Sequence, residues 1–146
     1  METVSLTAQD YCKRAVTWLK TVQKPDGSFG ESLKTYSNVS TKGQGASTPS
    51  QTAWGLIGLL AGAKASDPSI TRAVSYLVQQ QSEDGSWSEP EFTGTGFPCV
   101  FYLKYHLYRN SFPVYALARY YNQTHKTEEY CSVKFQPNEF RLRSGF

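Results

Sequence analysis

The pattern of apolar and polar residues predicts two amphipathic helices. Apolar residues recur at spacings of three and four across Tyr11–Val22 and again across Ile70–Val78. This spacing places them on one face of a helix in each segment. We predict a first helix over about Ala8–Gln23, capped by Thr7, and a second one that begins at Asp67 and Pro68.

A third helix, apolar on nearly all sides, is predicted between these two. Thr48, Pro49 and Gln51 have the spacing of a capping box with proline at the first helical position. The run Trp54–Ala63 follows, with small residues among large aliphatic ones. Such a helix is expected to be buried on several sides.

The two amphipathic helices belong to an internal repeat. Arg14–Phe29 (RAVTWLKTVQKPDGSF) aligns without a gap on Arg72–Trp87 (RAVSYLVQQQSEDGSW). An ungapped repeat of this length indicates stacked supersecondary units. Each copy has a glutamine in the last helical turn, then a glycine where positive φ is expected, then an aromatic residue. These positions are Gln23, Gly27 and Phe29 in the first copy and Gln81, Gly85 and Trp87 in the second.

The repeat has two structural interpretations. The glutamine amide can hydrogen-bond a free backbone group of a neighbouring helix end, with the aromatic ring covering the bond from water. Alternatively, the segment is only a helix with a glycine cap and an aromatic plug. Neither interpretation implies catalysis.

A row of aromatic residues is the main candidate for chemistry. Phe97, Phe101, Tyr105 and Tyr108 are spaced by four, four and three residues. We predict a helix over about Cys99–Asn110, on which this spacing puts the four rings on one face. Such a row is more often plain core, although buried tyrosine hydroxyls would each need a partner. Pro113 is expected to kink or restart the chain, leaving a short final helix over Val114–Tyr121.

Composition and charge exclude several classes of function. The chain has 15 Lys and Arg against 12 Asp and Glu, without a basic block, so a nucleic-acid surface is not expected. Its 3 cysteines are scattered without metal-ligand spacing, which favours free thiols and predicts no metal or cofactor. The polar start predicts no signal peptide, and the longest apolar run is too short to span a bilayer.

The repeated pattern resembles the QW repeat of triterpene cyclases. The strings GASTPSQTAWGLIGLLAGA, from Gly45, and EPEFTGTGFPCVFYLKYHLYRNSFPVYALARY, from Glu89, resemble the C-terminal end of squalene–hopene cyclases. The resemblance covers roughly Leu6–Gln123. It implies an all-α fold, a partial α/α barrel (α/α toroid) of repeated helix pairs over residues 1–123. Residues 124–146 are then expected to form a polar C-terminal extension.

The resemblance also implies a function. The chain is expected to be the C-terminal part of a triterpene cyclase, an intramolecular transferase of the isomerase class. Phe97, Phe101, Tyr105 and Tyr108 match aromatic cavity positions that stabilise carbocations, because aromatic faces attract cations without acting as nucleophiles. Gly30, Glu31 and Tyr36 match a loop that helps to shape the cavity wall.

The implied partners follow from that chemistry. They are squalene or a related isoprenoid, the missing N-terminal half of the cyclase, and a membrane surface. The expected location is therefore peripheral, on the cytosolic face of a membrane, without a transmembrane helix.

The acid that starts the reaction in this family has no counterpart here. The family uses an aspartate of a DxDD motif, whereas Asp10, Asp26, Asp67 and Asp84 are each isolated. We therefore assign no catalytic residue and expect the chain by itself to be inactive, so whether it is an enzyme stays open. The alternatives are a non-catalytic helical scaffold or apolar-ligand binder, and a piece of an oxidosqualene cyclase. An in-frame DxDD motif upstream of Met1 would favour the cyclase.

Overall fold

The computed structural model describes residues 9–98 and 100–125. Within these residues the chain is mostly helical and has one small antiparallel sheet. The elements are α1 (Asp10–Val22), α2 (Pro49–Gly62), α3 (Pro68–Gln79), β1 (Gly94–Phe97), β2 (Phe101–Leu103) and α4 (Tyr108–Thr124). Two short 3-10 turns, Leu33–Tyr36 and Val39–Thr41, lie in the connection from α1 to α2. The predicted helical class is therefore correct in the main, and the sheet departs from an all-α chain.

Helix α2 lies at the centre and contacts α1, α3 and α4. Leu56 and Leu59 are completely buried in it. Its glycines allow close approach, since a Cβ on Gly55 would lie 2.6 Å from the ring of Phe29. The prediction of a helix buried on several sides is confirmed. The buried core consists of Phe29, Ala53, Leu56, Leu59, Leu60, Ile70, Ala73, Leu77 and Ala116.

The predicted starts of the helices are partly correct. Asp67 caps α3 by accepting the N–H of Ser69, and Thr48 Oγ1 accepts the N–H of Gln51 at 3.3 Å. Gln51 does not complete a capping box, because its side chain bonds the backbone N–H and carbonyl of Glu31 at 2.6 and 3.2 Å. Helix α1 begins at Asp10, and its predicted cap at Thr7 lies outside the described residues.

Glu89 supplies a second cap of α2 that the sequence did not suggest. Its side chain is buried, and its two carboxylate oxygens accept the N–H and the hydroxyl of Ser50, each at 2.9 Å. A carboxylate at a helix N-terminus is stabilised by the helix dipole and by charge-assisted hydrogen bonds. The segment after α3 is thereby tied to the start of α2.

We expect Glu89→Gln to destabilise the fold by about 1–3 kcal/mol, because the buried charge-assisted bonds to Ser50 are weakened. The measurement is urea unfolding of the full chain. Glu83→Gln removes a charge from an exposed side chain of the preceding turn and should leave the unfolding midpoint unchanged. Equal midpoints for the two variants would contradict a capping role for Glu89.

The two glycine turns of the repeat have the same geometry. Gly27 has φ 89° and Gly85 has φ 82°, so the predicted positive φ is confirmed at both positions. In each turn the glutamine Nε2 donates to the glycine carbonyl, at 3.0 and 2.9 Å. In each turn an aspartate Oδ1 also accepts the N–H and hydroxyl of the serine two residues later. These pairs are Asp26 with Ser28 and Asp84 with Ser86.

The first turn joins α1 to the start of α3. Gln23 Nε2 donates to the carbonyl of Ser69 at 2.8 Å, and Gln23 Oε1 accepts from Arg72 Nη2 at 3.0 Å. A Cβ on Gly27 would lie 2.7 Å from Cβ of Arg72 and closer still to its carbonyl. The glutamine amide therefore bonds a neighbouring helix end, as predicted, next to the buried ring of Phe29.

An ion pair also joins these two helices, with Lys20 Nζ 2.5 Å from Asp67 Oδ2. The hydrogen bond from Lys20 is the largest cause that lowers the pKa of Asp67 from its ordinary value of 3.8. Because the folded pKa is the lower one, this stabilisation is complete above about 3.8 and is lost as the pH falls through the folded pKa.

Asp67→Asn keeps the helix cap but removes the charge. We expect it to lower stability at neutral pH by up to about 1 kcal/mol, the range for partly exposed pairs. The difference from the wild type should shrink as the pH falls below the ordinary carboxyl pKa, as measured by melting temperature against pH. A difference that does not vary with pH would contradict the ion-pair contribution.

The helix predicted over Cys99–Asn110 is wrong. The segment forms an antiparallel hairpin that pairs Gly94 with Leu103, Thr95 with Tyr102 and Phe97 with Phe101, while Cys99 lies outside the described residues. Thr95 Oγ1 lies 2.7 Å from the carbonyl of Phe97 and 2.6 Å from that of Phe101. Glycine disfavours helix, and the aromatic residues of β2 suit a strand. The helical spacing of the rings is therefore a coincidence.

The predicted restart of the chain at Pro113 is also wrong. Helix α4 runs without a break over Tyr108–Thr124, and Pro113 is buried inside it. Proline has no backbone N–H, so the helical hydrogen bond to the carbonyl of the residue four positions earlier is missing. Here that residue is Arg109, in the first turn of α4. The cost is one hydrogen bond near the helix start. The short helix predicted over Val114–Tyr121 is part of this longer one, and residues 126–146 of the predicted extension lie outside the described residues.

Candidate functional site

The four rings of the predicted aromatic row lie on different elements. Phe97 and Phe101 pair across the hairpin, with ring centroids 5.6 Å apart and an edge-to-face arrangement. Tyr105 follows β2 and stacks on Tyr108, the first residue of α4, at 4.9 Å. The rings therefore form two pairs and do not share a helix face, which corrects the geometry expected from the sequence.

Two further rings join the second pair. Phe112 lies 4.9 Å from Tyr108, and Trp54 of α2 lies 6.0 Å from Tyr108 and 5.3 Å from Phe112, measured between centroids. All three contacts are edge-to-face, a favourable geometry for aromatic pairs. We call Trp54, Tyr105, Tyr108 and Phe112 the aromatic cluster. Phe112 follows Tyr108 by one helical turn, which the sequence could have shown, whereas Trp54 is brought in by the packing of α2 on α4.

Three of the four predicted rings have the exposure of surface residues, and Tyr108 is partly buried. Phe97, Phe101 and Tyr105 are 63%, 44% and 50% exposed, and Trp54 is 36% exposed. A ring that belongs to a closed core would be almost fully buried. Within the described part of the chain, these side chains are therefore available to contact something other than the core.

Two grooves lie between the connection from α1 to α2 and the hairpin segment. One has a volume of about 370 Å³ and is lined by Glu31 and Tyr36 on one side and by Phe92 and Tyr102 on the other. The second, of about 420 Å³, shares Glu31 and Tyr36 and extends to Trp54. None of the four rings predicted from the sequence lines either groove. The loop residues Glu31 and Tyr36 are the predicted positions that do.

Glu31 serves as a loop anchor. Its Oε2 accepts the N–H of Gly43 at 2.7 Å, and its backbone is held by the side chain of Gln51. A carboxylate used in this way closes the loop. No group of three His, Cys, Asp or Glu side chains that could hold a metal ion occurs within residues 9–98 and 100–125. None of the helices in that part of the chain is long and apolar enough to cross a membrane.

A family model described as "Squalene-hopene cyclase C-terminal domain" matches residues 2–122. The chain belongs to this family. The match contains both glycine turns, the hairpin and the aromatic cluster, and it confirms the resemblance found in the sequence. All four predicted rings lie inside the cyclase match.

Individual cyclases show the same relationship. The squalene–hopene cyclase of Zymomonas mobilis is 47% identical over 111 residues, which are 75% of this chain and 17% of that protein. The squalene–hopene cyclase of Alicyclobacillus acidocaldarius is 53% identical over 91 residues, or 62% and 14% of the two chains. The dammaradiene synthase of Dryopteris crassirhizoma is 43% identical over 129 residues, or 79% and 19%. The chain spans less than a fifth of the length of these relatives.

Proposed function

We propose that this chain is the C-terminal part of a triterpene cyclase that acts on squalene or a related isoprenoid. The observation that carries the proposal is the half-exposed state of Phe97, Phe101 and Tyr105 within a segment that belongs to the cyclase family. In the proposed role these rings form part of the wall of the substrate cavity. The reaction class is intramolecular transfer, that is, isomerisation of a hydrocarbon into a polycyclic product.

The rings suit this chemistry because of their electronic properties. Cyclisation of a polyene moves a positive charge from one carbon to the next as each new C–C bond forms. The face of an aromatic ring attracts such a cation and, unlike a carboxylate or hydroxyl, does not add to it; the attraction is worth about 2 kcal/mol or more when both groups are desolvated. The rings can therefore hold the intermediate without ending the reaction.

The proton that starts the reaction must come from elsewhere. The chain contains four separate aspartates and no DxDD motif. Asp26, Asp67 and Asp84 each accept hydrogen bonds in a turn or a helix cap. We propose that the general acid is supplied by the remainder of a longer cyclase, and that this chain alone does not cyclise squalene.

We further propose that the two glycine turns are QW repeats and that the helix pairs are part of an α/α toroid. The recurrence of the same hydrogen bonds at Gly27 and Gly85 supports this assignment. An insoluble substrate favours an enzyme on a membrane face. Exposed apolar side chains such as Phe97, Val100 and Leu107 are consistent with contact to lipid or to the rest of the cyclase.

A chimera tests the proposal. The matched segment of the Zymomonas mobilis cyclase is replaced by residues of this chain, and squalene turnover is measured by product analysis. We expect the chimera to form cyclised products, and the same chimera with its DxDD aspartates replaced by asparagine to form none. A folded chimera without turnover would contradict the cavity role, and turnover by the purified 146-residue chain would contradict the missing-acid argument.

A non-catalytic apolar-ligand binder is the second candidate, and the absence of a DxDD motif from the sequence favours it. In that case the isolated chain would bind an apolar fluorescent probe, whereas the chimera with the Zymomonas mobilis cyclase would form no cyclised products. An oxidosqualene cyclase origin would appear in the same assay as a preference for oxidosqualene over squalene.

A further inference from the structure

The rings of Phe97 and Phe101 lie at the surface of the described structure. They are 63% and 44% exposed, and they contact each other across the hairpin with centroids 5.6 Å apart. A buried side chain is fixed by close packing on all sides, whereas a half-exposed one follows the backbone that carries it. The geometry of the hairpin therefore decides where these two rings lie.

The hairpin is short and its register is irregular. Strand β1 has 4 residues and β2 has 3. Thr95 pairs with Tyr102, but the next pair joins Phe97 to Phe101, so Gly96 is skipped as in a β-bulge. Bulges bend a strand and change the direction of its side chains. A two-stranded hairpin is marginally stable by itself, so contacts outside the ladder are needed to fix its shape.

The ring of Phe101 lies directly on the backbone of Gly96. A Cβ added to this glycine would lie 2.2 Å from two atoms of the ring. Glycine thus lets the aromatic ring of one strand approach the other strand at the irregular position. Because the contact is so close, the place of the ring depends on the separation of the two strands at this point.

The hydroxyl of Thr95 joins the two strands at the same place. Its Oγ1 lies 2.7 Å from the carbonyl oxygen of Phe97 and 2.6 Å from that of Phe101. A hydroxyl has one proton to donate, so the two carbonyls share it. One side-chain oxygen is therefore bonded to the backbone of both residues that carry the rings, one residue on each strand.

The opposite end of the hairpin has contacts of its own. The backbone N–H of Thr93 donates to the carbonyl of Leu103 at 2.8 Å, and Thr93 Oγ1 accepts the N–H of Tyr105 at 3.0 Å. These bonds hold the strands together where they leave the hairpin. Loss of the Thr95 hydroxyl should therefore displace the end that carries the two phenylalanine rings and leave the other end in place.

We propose that Thr95 is a positioning residue, whose hydroxyl sets the separation and orientation of the Phe97 and Phe101 rings. The positioning is a property of the hairpin, whereas its effect on products rests on the proposed cyclase function. An aromatic ring attracts a cation with its face. A displaced hairpin would keep both rings but would turn their faces away from the path of the cation. Thr95 acts only through the rings and does not itself contact the substrate.

Thr95→Val removes the hydroxyl and keeps the shape of the side chain. A methyl group in place of Oγ1 would lie 2.6–2.7 Å from both carbonyl oxygens, well inside the about 3.5 Å preferred by non-bonded atoms. The two carbonyls must therefore move apart. Thr95→Ser keeps the hydroxyl and is the conservative variant. Thr17→Val, which removes a hydroxyl that donates to the carbonyl of Lys13 in α1, is the matched control.

NMR of the full chain tests the positioning directly, with circular dichroism to verify folding. We expect nuclear Overhauser contacts between the rings of Phe97 and Phe101 in the wild type, in Thr95→Ser and in Thr17→Val. In Thr95→Val these contacts should weaken strongly or disappear. Contacts of equal strength in Thr95→Val and the wild type would overturn the proposal.

The products of the active chimera test the consequence. In Thr95→Val we expect partly cyclised products to increase and turnover to the complete product to fall at least about 5-fold, the change that corresponds to one lost hydrogen bond. Thr95→Ser should restore most of the complete product, and Thr17→Val should match the wild type. A purely structural role would lower the melting temperature of Thr95→Val without changing its products.

The Phe101→Ala chimera separates this proposal from the cyclase function on which its effect rests. Unaltered products from Thr95→Val, in a chimera whose products Phe101→Ala does alter, would overturn the role of Thr95 and leave the cyclase function intact. A chimera without turnover in any form would contradict the cyclase function. The ring contacts in the full chain would then still decide whether Thr95 positions Phe97 and Phe101.

Discussion

Phe101→Ala in the active chimera is expected to release partly cyclised products, formed by early loss of a proton or capture of water. The reason is that a carbocation intermediate loses an aromatic ring that stabilises it by about 2 kcal/mol. A barrier raised by that amount slows the cyclisation step through this intermediate roughly 30-fold. Turnover to the complete product should fall accordingly. The measurement is the product profile by gas chromatography, recorded beside the melting temperature.

The exposure of Phe101 distinguishes this result from a packing effect. Removing a buried phenylalanine costs about 3–5 kcal/mol of stability. Phe101 is 44% exposed and contacts Phe97 across the hairpin, so its removal should cost much less. Unaltered products with a strongly lowered melting temperature would show that the ring is core.

Two control variants sharpen the comparison. Phe101→Tyr keeps an aromatic face and should keep most of the complete product. Tyr115→Ala removes a similarly exposed ring from α4, outside the candidate site, and should change neither the products nor the melting temperature. Partly cyclised products from Tyr115→Ala would mean that the effect of Phe101→Ala is not specific to a ring near the cation.

Gly27→Ala and Gly85→Ala are expected to differ widely in stability, although they change the same residue in the same turn. Both alanines must adopt positive φ, which costs about 1–2 kcal/mol. At Gly27 the new methyl also overlaps the backbone of Arg72 and forces α3 away from the turn, whereas at Gly85 it meets only the side-chain amide of Gln81, at an ordinary contact distance of 3.9 Å. We expect a loss of about 1–2 kcal/mol for Gly85→Ala and at least about 3 kcal/mol for Gly27→Ala.

Urea unfolding of the two variants and of the wild type measures this difference. Similar losses for the two variants would mean that the first turn does not hold α1 and α3 together as the structure indicates.

The local features of this protein follow from its amino-acid sequence alone. The helices α1 and α3, the cap at Asp67 and the positive φ of Gly27 and Gly85 all depend on residues within about four positions of each other. Periodicity, capping and glycine conformation act over that distance. The internal repeat and the membership in the cyclase family were also evident from the order of residues alone.

Features that join residues distant in the sequence depend on how the helices and the hairpin pack. The spacing of Phe97, Phe101, Tyr105 and Tyr108 satisfied a helix, but the hairpin pairs Gly94 with Leu103, and helical periodicity carries no information about such pairing. Trp54 joined the aromatic cluster only because α2 packs on α4.

The polar contacts of α2 show the same division. Thr48 caps its own helix by accepting the N–H of Gln51, three residues later, and this local contact can be predicted from the sequence. Glu89 reaches Ser50, and Gln51 turns to Glu31 and away from Thr48, because each of these side chains finds its partner in a segment that folding brings alongside. A buried polar group must be satisfied, but any nearby partner can satisfy it, so only the packed chain decides which one does.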